Sequence, residues 1–206
     1  MIVSEAIDLL KKNELKQLAI KDDKPGIIGL INLAVLEVHK RFVLWEAEAT
    51  INMVADVLTY KLDGVDANVD IDLSDHDVLL IQEIYYEDGT VAPLNDENDG
   101  SSVATPRYHE IELVESVPTE VMYVIYRASP KFMTNEKQTI NLPPQFWEAM
   151  FFYVGFKAHG SIKTEGPSTS YGYYKQFERS LAVIKEEGLF AQDSMKCHKF
   201  EDRGYA

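Results

Sequence analysis

The hydrophobic pattern of the chain is densest between residues 143 and 188, where it predicts a helical hairpin. From Pro143 to Gly160, aromatic and aliphatic residues occupy every side of a helix, which is typical of a helix that is buried all round. A second stretch repeats apolar residues at helical spacing, and Gly188 is placed to end it. The repeated residues are Tyr171, Tyr174, Phe177, Leu181 and Ile184. The glycine, proline and hydroxyl residues of 166–170 are expected to connect the two helices and to cap the second one.

The first 42 residues also follow a helical period. Residues 2–20 predict one or two short helices with Ser4 as an N-cap, and Asp22 to Gly26 read as a turn. From residue 27 onward apolar residues keep one stripe for about four turns. The stripe consists of Ile27, Ile31, Ala34, Val35, Val38 and Phe42. We expect this long helix to pack on the hairpin.

The middle of the chain changes to the alternation and β-branched composition of strands. The predicted strands lie within residues 49–62, 70–73, 78–86, 108–114 and 121–127. The turn signal at 87–90 predicts a hairpin between the third of these and residues 91–94. Residues 128–130 are expected to leave the sheet. The sequence therefore predicts an α+β fold, in which a β-rich antiparallel insertion separates two parts of a helical bundle. The predicted parts are residues 1–45 and 143–190 for the bundle, 46–142 for the insertion and 191–206 for an extended C-terminal arm.

Charge and composition narrow the classes of partner. With 206 residues and a net charge of −14, the chain repels phosphate backbones, which argues against sequence-specific nucleic-acid binding. Cys197 is the single cysteine, so an internal disulfide is excluded and a reducing cytoplasm is compatible. Residues 1–5 lack the pattern of a signal peptide, and no apolar run is long enough to span a bilayer. We therefore expect no membrane association.

Two acidic segments match calcium loops only in part. Asp70, Asp72 and Ser74 hold the first ligand positions, but the glycine and the final glutamate of such a loop are missing. The segment that begins at Asn95 lacks the final glutamate as well. The sequence also contains no helical zinc pair, serine elbow, catalytic cysteine motif or phosphate loop. It therefore predicts no enzyme, no metal site and no cofactor.

The aromatic content is the remaining signal. Two Trp, eleven Tyr and nine Phe exceed what short helices need for their own core, and aromatic residues with a polar end suit subunit interfaces. The candidates for such an interface are Trp147, Phe151, Tyr171 and Tyr174. An ordinary aromatic core is the alternative interpretation.

The order of several short segments resembles the head-to-tail connector (adaptor) proteins of tailed bacteriophages. These segments are LAVLEVHKRF (33–42), LTYKL (58–62), IYYEDG (84–89), PLND (93–96), VATPRY (103–108), VIYRASP (124–130), LPP (142–144) and KFEDRGY (199–205). The resemblance implies a structural virion protein, made in the host cytoplasm, that forms a ring beneath the portal at the head–tail interface. Such rings are usually dodecameric; they extend the DNA channel and attach the tail.

The resemblance also implies partners and roles for particular residues. The helical bundle would build the homo-oligomeric ring, with Trp147, Phe151, Tyr171 and Tyr174 as interface candidates, and the β insertion would face outward or toward a tail or nozzle protein. The C-terminal arm would dock on the portal through Phe200, Arg203, Gly204 and Tyr205. Genomic DNA would pass through the channel without sequence-specific binding.

Two alternative functions remain open at this point. One is a tail-completion protein or another virion ring protein. The other, from a different class, is a soluble α+β enzyme or ligand-binding protein with no recognisable motif; a deep pocket with convergent polar groups would favour it.

Overall fold

The computed structural model describes residues 1–115, 121–160 and 167–188, with only the backbone described for Pro167 and Ser168. The chain divides into two compact units. The helical unit contains residues 1–42 and the described residues from 132 onward, and the β unit contains the described residues of 43–131. The structure thus places residues 132–142 in the helical unit, whereas the sequence prediction put them in the insertion. Helices and antiparallel sheets together confirm the predicted α+β class.

The helical unit contains the helices that the apolar periodicity predicts. They are α1 (Val3–Lys12), α2 (Lys24–Arg41), α3 (Trp147–Gly160) and α4 (Pro167–Glu186), with short 3₁₀ turns at Ala19–Asp22 and Pro144–Phe146. Helix α3 packs against both α2 and α4, as the predicted hairpin with the long N-terminal helix on it requires. Gly188, at φ +62°, follows the end of α4, in the left-handed conformation that glycine adopts without strain.

The N-cap predicted at Ser4 is wrong, because α1 begins two residues earlier than predicted, with Ile2 as its N-cap. The backbone N–H groups of Val3 and Ser4 donate to the carbonyl oxygens of Gln138 and Glu136, each at 3.0 Å. Carbonyl groups of a distant segment therefore satisfy the first turn, which leaves the Ser4 hydroxyl without a capping role.

Proline marks the start of helices at two places where the sequence prediction expected turns. Asp23 caps α2, its carboxylate accepting the N–H of Gly26 at 3.1 Å, and Pro25 lies in the first turn. The stretch Asp22–Gly26 is therefore largely a helix start. Likewise α4 begins at Pro167, so residues 167–170 belong to the helix and do not form the connection. The fixed φ of proline and its missing N–H suit the first turn of a helix, which explains both corrections.

The described residues of the β unit form two antiparallel sheets. One has the order β3-β1-β7-β4, with β1 (Glu46–Asn52), β3 (Val69–Asp70), β4 (His76–Tyr86) and β7 (Val121–Pro130). The other has the order β2-β6-β5, with β2 (Thr59–Lys61), β5 (Ala104–Arg107) and β6 (Glu110–Glu112). Inward-facing residues such as Ile51, Val124 and Ile84 build a continuous apolar core. The predicted turn at 87–90 is present, since Tyr86 N–H donates to Thr90 O at 2.9 Å, but the predicted strand at 91–94 is reduced to isolated bridges at Val91 and Leu94.

Strand boundaries in the β unit differ from the prediction in several places. Residues 128–130 do not leave the sheet, because they pair with residues 76–78 of β4 as the end of β7. The N–H of Ala128 donates to Trp45 O at 2.9 Å, and Pro130, two residues further along, lies beyond the first residue of β1. Its missing N–H therefore costs no ladder hydrogen bond. The predicted strands at 70–73 and 108–114 shrink to two and three residues, and β5 was not predicted.

Candidate functional site

Four rings form an aromatic cluster between α3 and α4. Tyr153 and Phe156 on α3 and Tyr174 and Phe177 on α4 are each three residues apart, which places each pair on one face of its helix. The ring centroids lie 5.0 Å apart for Tyr153–Phe177 and for Phe156–Tyr174. Such separations are in the range of favourable aromatic pairs. The aromatic cluster therefore holds the hairpin together.

Arg41, the last residue of α2, connects that helix to the aromatic cluster. Its Nε donates to Glu37 Oε1 at 2.8 Å and its Nη1 to Glu178 Oε1 at 2.6 Å, and its guanidinium carbon lies 4.9 Å from the centroid of the Phe177 ring. Partial burial alone would lower the pKa of Arg41, but hydrogen bonds with Tyr174 and the two carboxylates raise it above its ordinary value. The charge is therefore retained at the junction of the two helices.

The four interface candidates occupy two kinds of environment. Tyr174 is half-buried in the aromatic cluster, whereas Tyr171, one turn earlier, is 58% exposed with the Lys175 ammonium 4.8 Å from its ring centroid. Trp147 and Phe151 are half-buried on α3. The indole Nε1 of Trp147 donates to Leu142 O at 3.0 Å, which fixes the start of that helix. Of the four, Tyr171 presents the most open ring surface. The predicted docking residues Phe200, Arg203, Gly204 and Tyr205 lie outside the described residues.

The net charge is not spread evenly along the chain, which sequence reasoning based on the total of −14 did not reveal. Residues 43–131 contain 19 acidic and 4 basic residues, a net charge of −15. All other residues together contain 15 acidic and 16 basic residues, a net charge of +1. The acidic character therefore belongs to the β segment, and the rest of the chain is close to neutral.

Several exposed aspartates of the β unit shape its loops. Each accepts the backbone N–H two residues further along at 2.8–2.9 Å, and hydrogen bonds from these residues lower the pKa of the carboxylate. The pairs are Asp63 with Val65, Asp72 with Ser74, Asp88 with Thr90 and Asp99 with Ser101. Within the described ranges no group of three His, Cys, Asp or Glu is arranged to hold a metal ion. The geometry explains the aspartate-rich pattern as turn chemistry.

A polar network around the buried His76 lies at one end of the large sheet. The His76 ring nitrogens lie 2.8 Å from Asp75 Oδ1 and 2.8 Å from the Tyr126 hydroxyl, and Trp45 packs on the imidazole at 4.7 Å. Burial, together with the charges of Asp72 and Asp75, raises the pKa of Tyr126 to about 12. The hydroxyl therefore stays protonated in the folded state at pH values where an unfolded tyrosine ionises.

Stability should consequently fall between pH about 10 and about 12, because only the unfolded chain releases the Tyr126 proton in that window. Tyr126→Phe lacks this proton, so we expect the variant to be less stable than the parent at pH 9 and the difference to shrink by pH 11.5. Urea denaturation of both proteins at pH 9 and pH 11.5 measures this difference in the free energy of unfolding. The other tyrosines are present in both proteins, so their ionisation cancels in the comparison. A stability difference that does not change with pH would contradict the raised pKa of Tyr126.

These features define an α+β protein in which the aromatic cluster, Arg41 and the His76–Tyr126 pair each join one helix or strand to another. The sequence matches a family of bacteriophage structural proteins over nearly its whole length. Residues 2–195 match the family described as SU10 adaptor protein, and the chain belongs to that family. A search of curated proteins finds no sequence that matches. Membership makes the chain a structural adaptor protein of a phage particle. Among the described helices, none is long and apolar enough to cross a membrane.

Proposed function

We propose that the chain is a head-to-tail connector that forms a dodecameric ring beneath the portal, extends the DNA channel and attaches the tail. Family membership supports an adaptor role. The observation that carries the finer proposal is the division of charge, with −15 in residues 43–131 and +1 in the remainder. Near-neutral helical units can lie side by side around a ring without mutual repulsion. Where the acidic β unit extends the channel toward the tail, its negative charge repels DNA phosphates, so the genome passes without adhering.

The proposed contacts within the ring are heterologous, because each copy presents one surface to the preceding copy and a different one to the next. Trp147, Phe151, Tyr171 and Tyr174 are the proposed ring-interface residues. Tyr171, which is 58% exposed, supports this role most directly. The proposed tail-side partner is a tail or nozzle protein that contacts the β unit.

Residues 191–206 are the proposed portal-docking arm, with Phe200, Arg203, Gly204 and Tyr205 as its contact residues. The segment combines aromatic residues with three acidic and three basic side chains, so it can bind a protein surface without strong charge repulsion. An arm that becomes ordered only on docking would delay ring assembly until a portal is present, because the entropy cost of ordering is offset only there.

Quantitative peptide mass spectrometry on gradient-purified phage particles tests this proposal. We expect about a dozen copies of the full chain per particle. A chain truncated after residue 190 should fold when purified, as judged by circular dichroism, but should be missing from the particles. Absence of the full chain from particles would refute the virion role. Normal incorporation of the truncated chain would refute the arm, and cross-links to the tail tube with none to the portal would favour a tail-completion protein.

A further inference from the structure

Helix α2 is apolar on both of its sides, although only one side faces the core. Ile27, Ile31 and Val38 are buried, as the sequence period predicts. The side away from the core carries what we call the leucine stripe, made of Gly29, Leu30, Leu33 and Leu36, of which Gly29 and Leu33 are exposed and Leu30 and Leu36 are half-buried. Leu33 is 45% exposed, and no charged residue occurs between positions 25 and 36. An apolar helix surface of this kind is typical of a helix that protein covers, yet Leu33 stays exposed to solvent within the described part of the chain.

A groove of about 1020 Å³ adjoins the leucine stripe at Gly29. Residues of α2 line one wall and residues 133–137 line the other. Asn32 holds the two walls together through two hydrogen bonds with the backbone of Met133, and Lys24 Nζ lies 2.9 Å from Glu136 Oε1. The space in front of Gly29 is open, so another helix can approach the α2 backbone closely. The surface is therefore already formed before any partner binds.

We propose that the leucine stripe and the adjoining groove bind the helical unit of a second copy of this chain. The division of charge favours a contact between copies at this surface. Two copies repel each other through β segments of net charge −15, so contact between copies is favoured only through the near-neutral part of the chain. The leucine stripe lies in that part, within a run of twelve residues without a charge.

The size of the surface determines the strength of this contact. Twelve helical residues extend about 18 Å, and a helix is about 10 Å wide, so the leucine stripe offers roughly 200 Å². Even with the groove, this remains below the ~800 Å² per partner that is typical of a stable complex. Two isolated copies therefore associate weakly, and the contact becomes persistent where copies are held side by side. The inference rests on the proposed function in that respect, because a ring is what holds them.

Photo-cross-linking of the purified full chain tests the contact without phage particles. A benzoylphenylalanine is placed at position 33 or, as the matched control, at position 80, since Leu80 is 50% exposed but lies on β4 of the acidic β unit. At roughly 0.5 mM protein we expect position 33 to give covalent dimers whose cross-linked peptides fall within residues 1–42 or 132–188. The probe at position 80 should give few covalent dimers. Only monomer at position 33, equal yields at both positions, or cross-links into residues 43–131 would overturn the proposal.

The charge variants Leu33→Glu and Leu80→Glu give an independent measurement. Sedimentation equilibrium should show the dimer dissociation constant rising at least tenfold for Leu33→Glu and less than twofold for Leu80→Glu. Both positions are exposed and glutamate is a good helix former at position 33, so melting temperatures should stay close to that of the parent. Equal effects of the two variants would overturn the contact. Failure of the proposed function would appear separately, as absence of the parent chain from particles.

Discussion

Replacing Asn32 with alanine should lower the free energy of unfolding of the helical unit by about 2–4 kcal/mol. Asn32 is 8% exposed, its Nδ2 donates to Met133 O at 2.9 Å, and its Oδ1 accepts Met133 N–H at 2.9 Å. An alanine leaves a buried N–H and a buried C=O without partners. An unpaired buried group costs about 1–3 kcal/mol, whereas the loss of an exposed amide costs little.

Urea denaturation measures this effect most cleanly in a Trp45→Phe background, because Trp147 is then the single tryptophan and reports on the helical unit. The matched control is Gln176→Ala, which removes an amide from the exposed side of α4 and should change stability by no more than about 0.5 kcal/mol. Equal shifts for the two variants would show that the pairing of Asn32 with Met133 does not secure the 132–137 segment.

Alanine at position 155 should destabilise the helical unit, although alanine is the better helix former. A Cβ there would lie 2.9 Å from Tyr173 Cδ1 and 3.1 Å from two further ring atoms. The Tyr173 ring also stacks on His159 at 5.0 Å, and His159 Nε2 lies 3.0 Å from Glu14 O, so the ring cannot shift without disturbing these contacts. Overpacking costs about 1–3 kcal/mol, and up to about 1 kcal/mol returns as helix propensity. We expect a net loss of about 1–2 kcal/mol.

Gly172→Ala is the matched control for this substitution, because its Cβ would meet no atom within 4 Å in the interior of α4. It should raise stability by up to about 1 kcal/mol. Thermal unfolding followed by circular dichroism at 222 nm compares the pair. The two variants should shift the melting temperature in opposite directions, and a gain for both would show that α3 and α4 can separate at Gly155 without cost.

The parts of the fold that follow a hydrophobic period could be predicted from the sequence. The stripe from Ile27 to Phe42 and the repeat from Phe177 to Ile184 correspond to helices α2 and α4, and the strands at 78–86 and 121–127 are present. The segment 132–142 could not be placed, because it has no period of its own. Its position depends on Asn32 and on N–H groups of α1, which are contacts over a hundred residues apart in sequence.

Strand β5 was missed for a similar reason. Its sequence is Ala-Thr-Pro-Arg, so neither alternation nor β propensity marks it. The side chain of Asn95 secures the segment instead, since Thr105 N–H donates to Asn95 Oδ1 at 2.9 Å. For the candidate interface, the pattern identified aromatic residues but did not separate their roles. Tyr171 and Tyr174 belong to the same predicted stripe, yet one is exposed and the other is half-buried in the aromatic cluster.

The leucine stripe illustrates what a periodicity argument overlooks. The buried residues of α2 already explain its helical period. A periodicity argument therefore does not identify the other apolar residues of the helix as a second surface. The available signal was the absence of charge between positions 25 and 36, which is unusual for a helix with one solvent-facing side.

The β unit begins and ends in neighbouring strands, since β1 and β7 are hydrogen-bonded partners and Trp45 O accepts the N–H of Ala128. A segment whose two ends lie side by side can be lengthened, shortened or exchanged as one cassette, because its neighbours in the chain need only bridge a short gap. Recombination between phage genomes could therefore replace residues 43–131 as a single piece. The helical unit would keep its own contacts while the exchanged piece acquired a different surface.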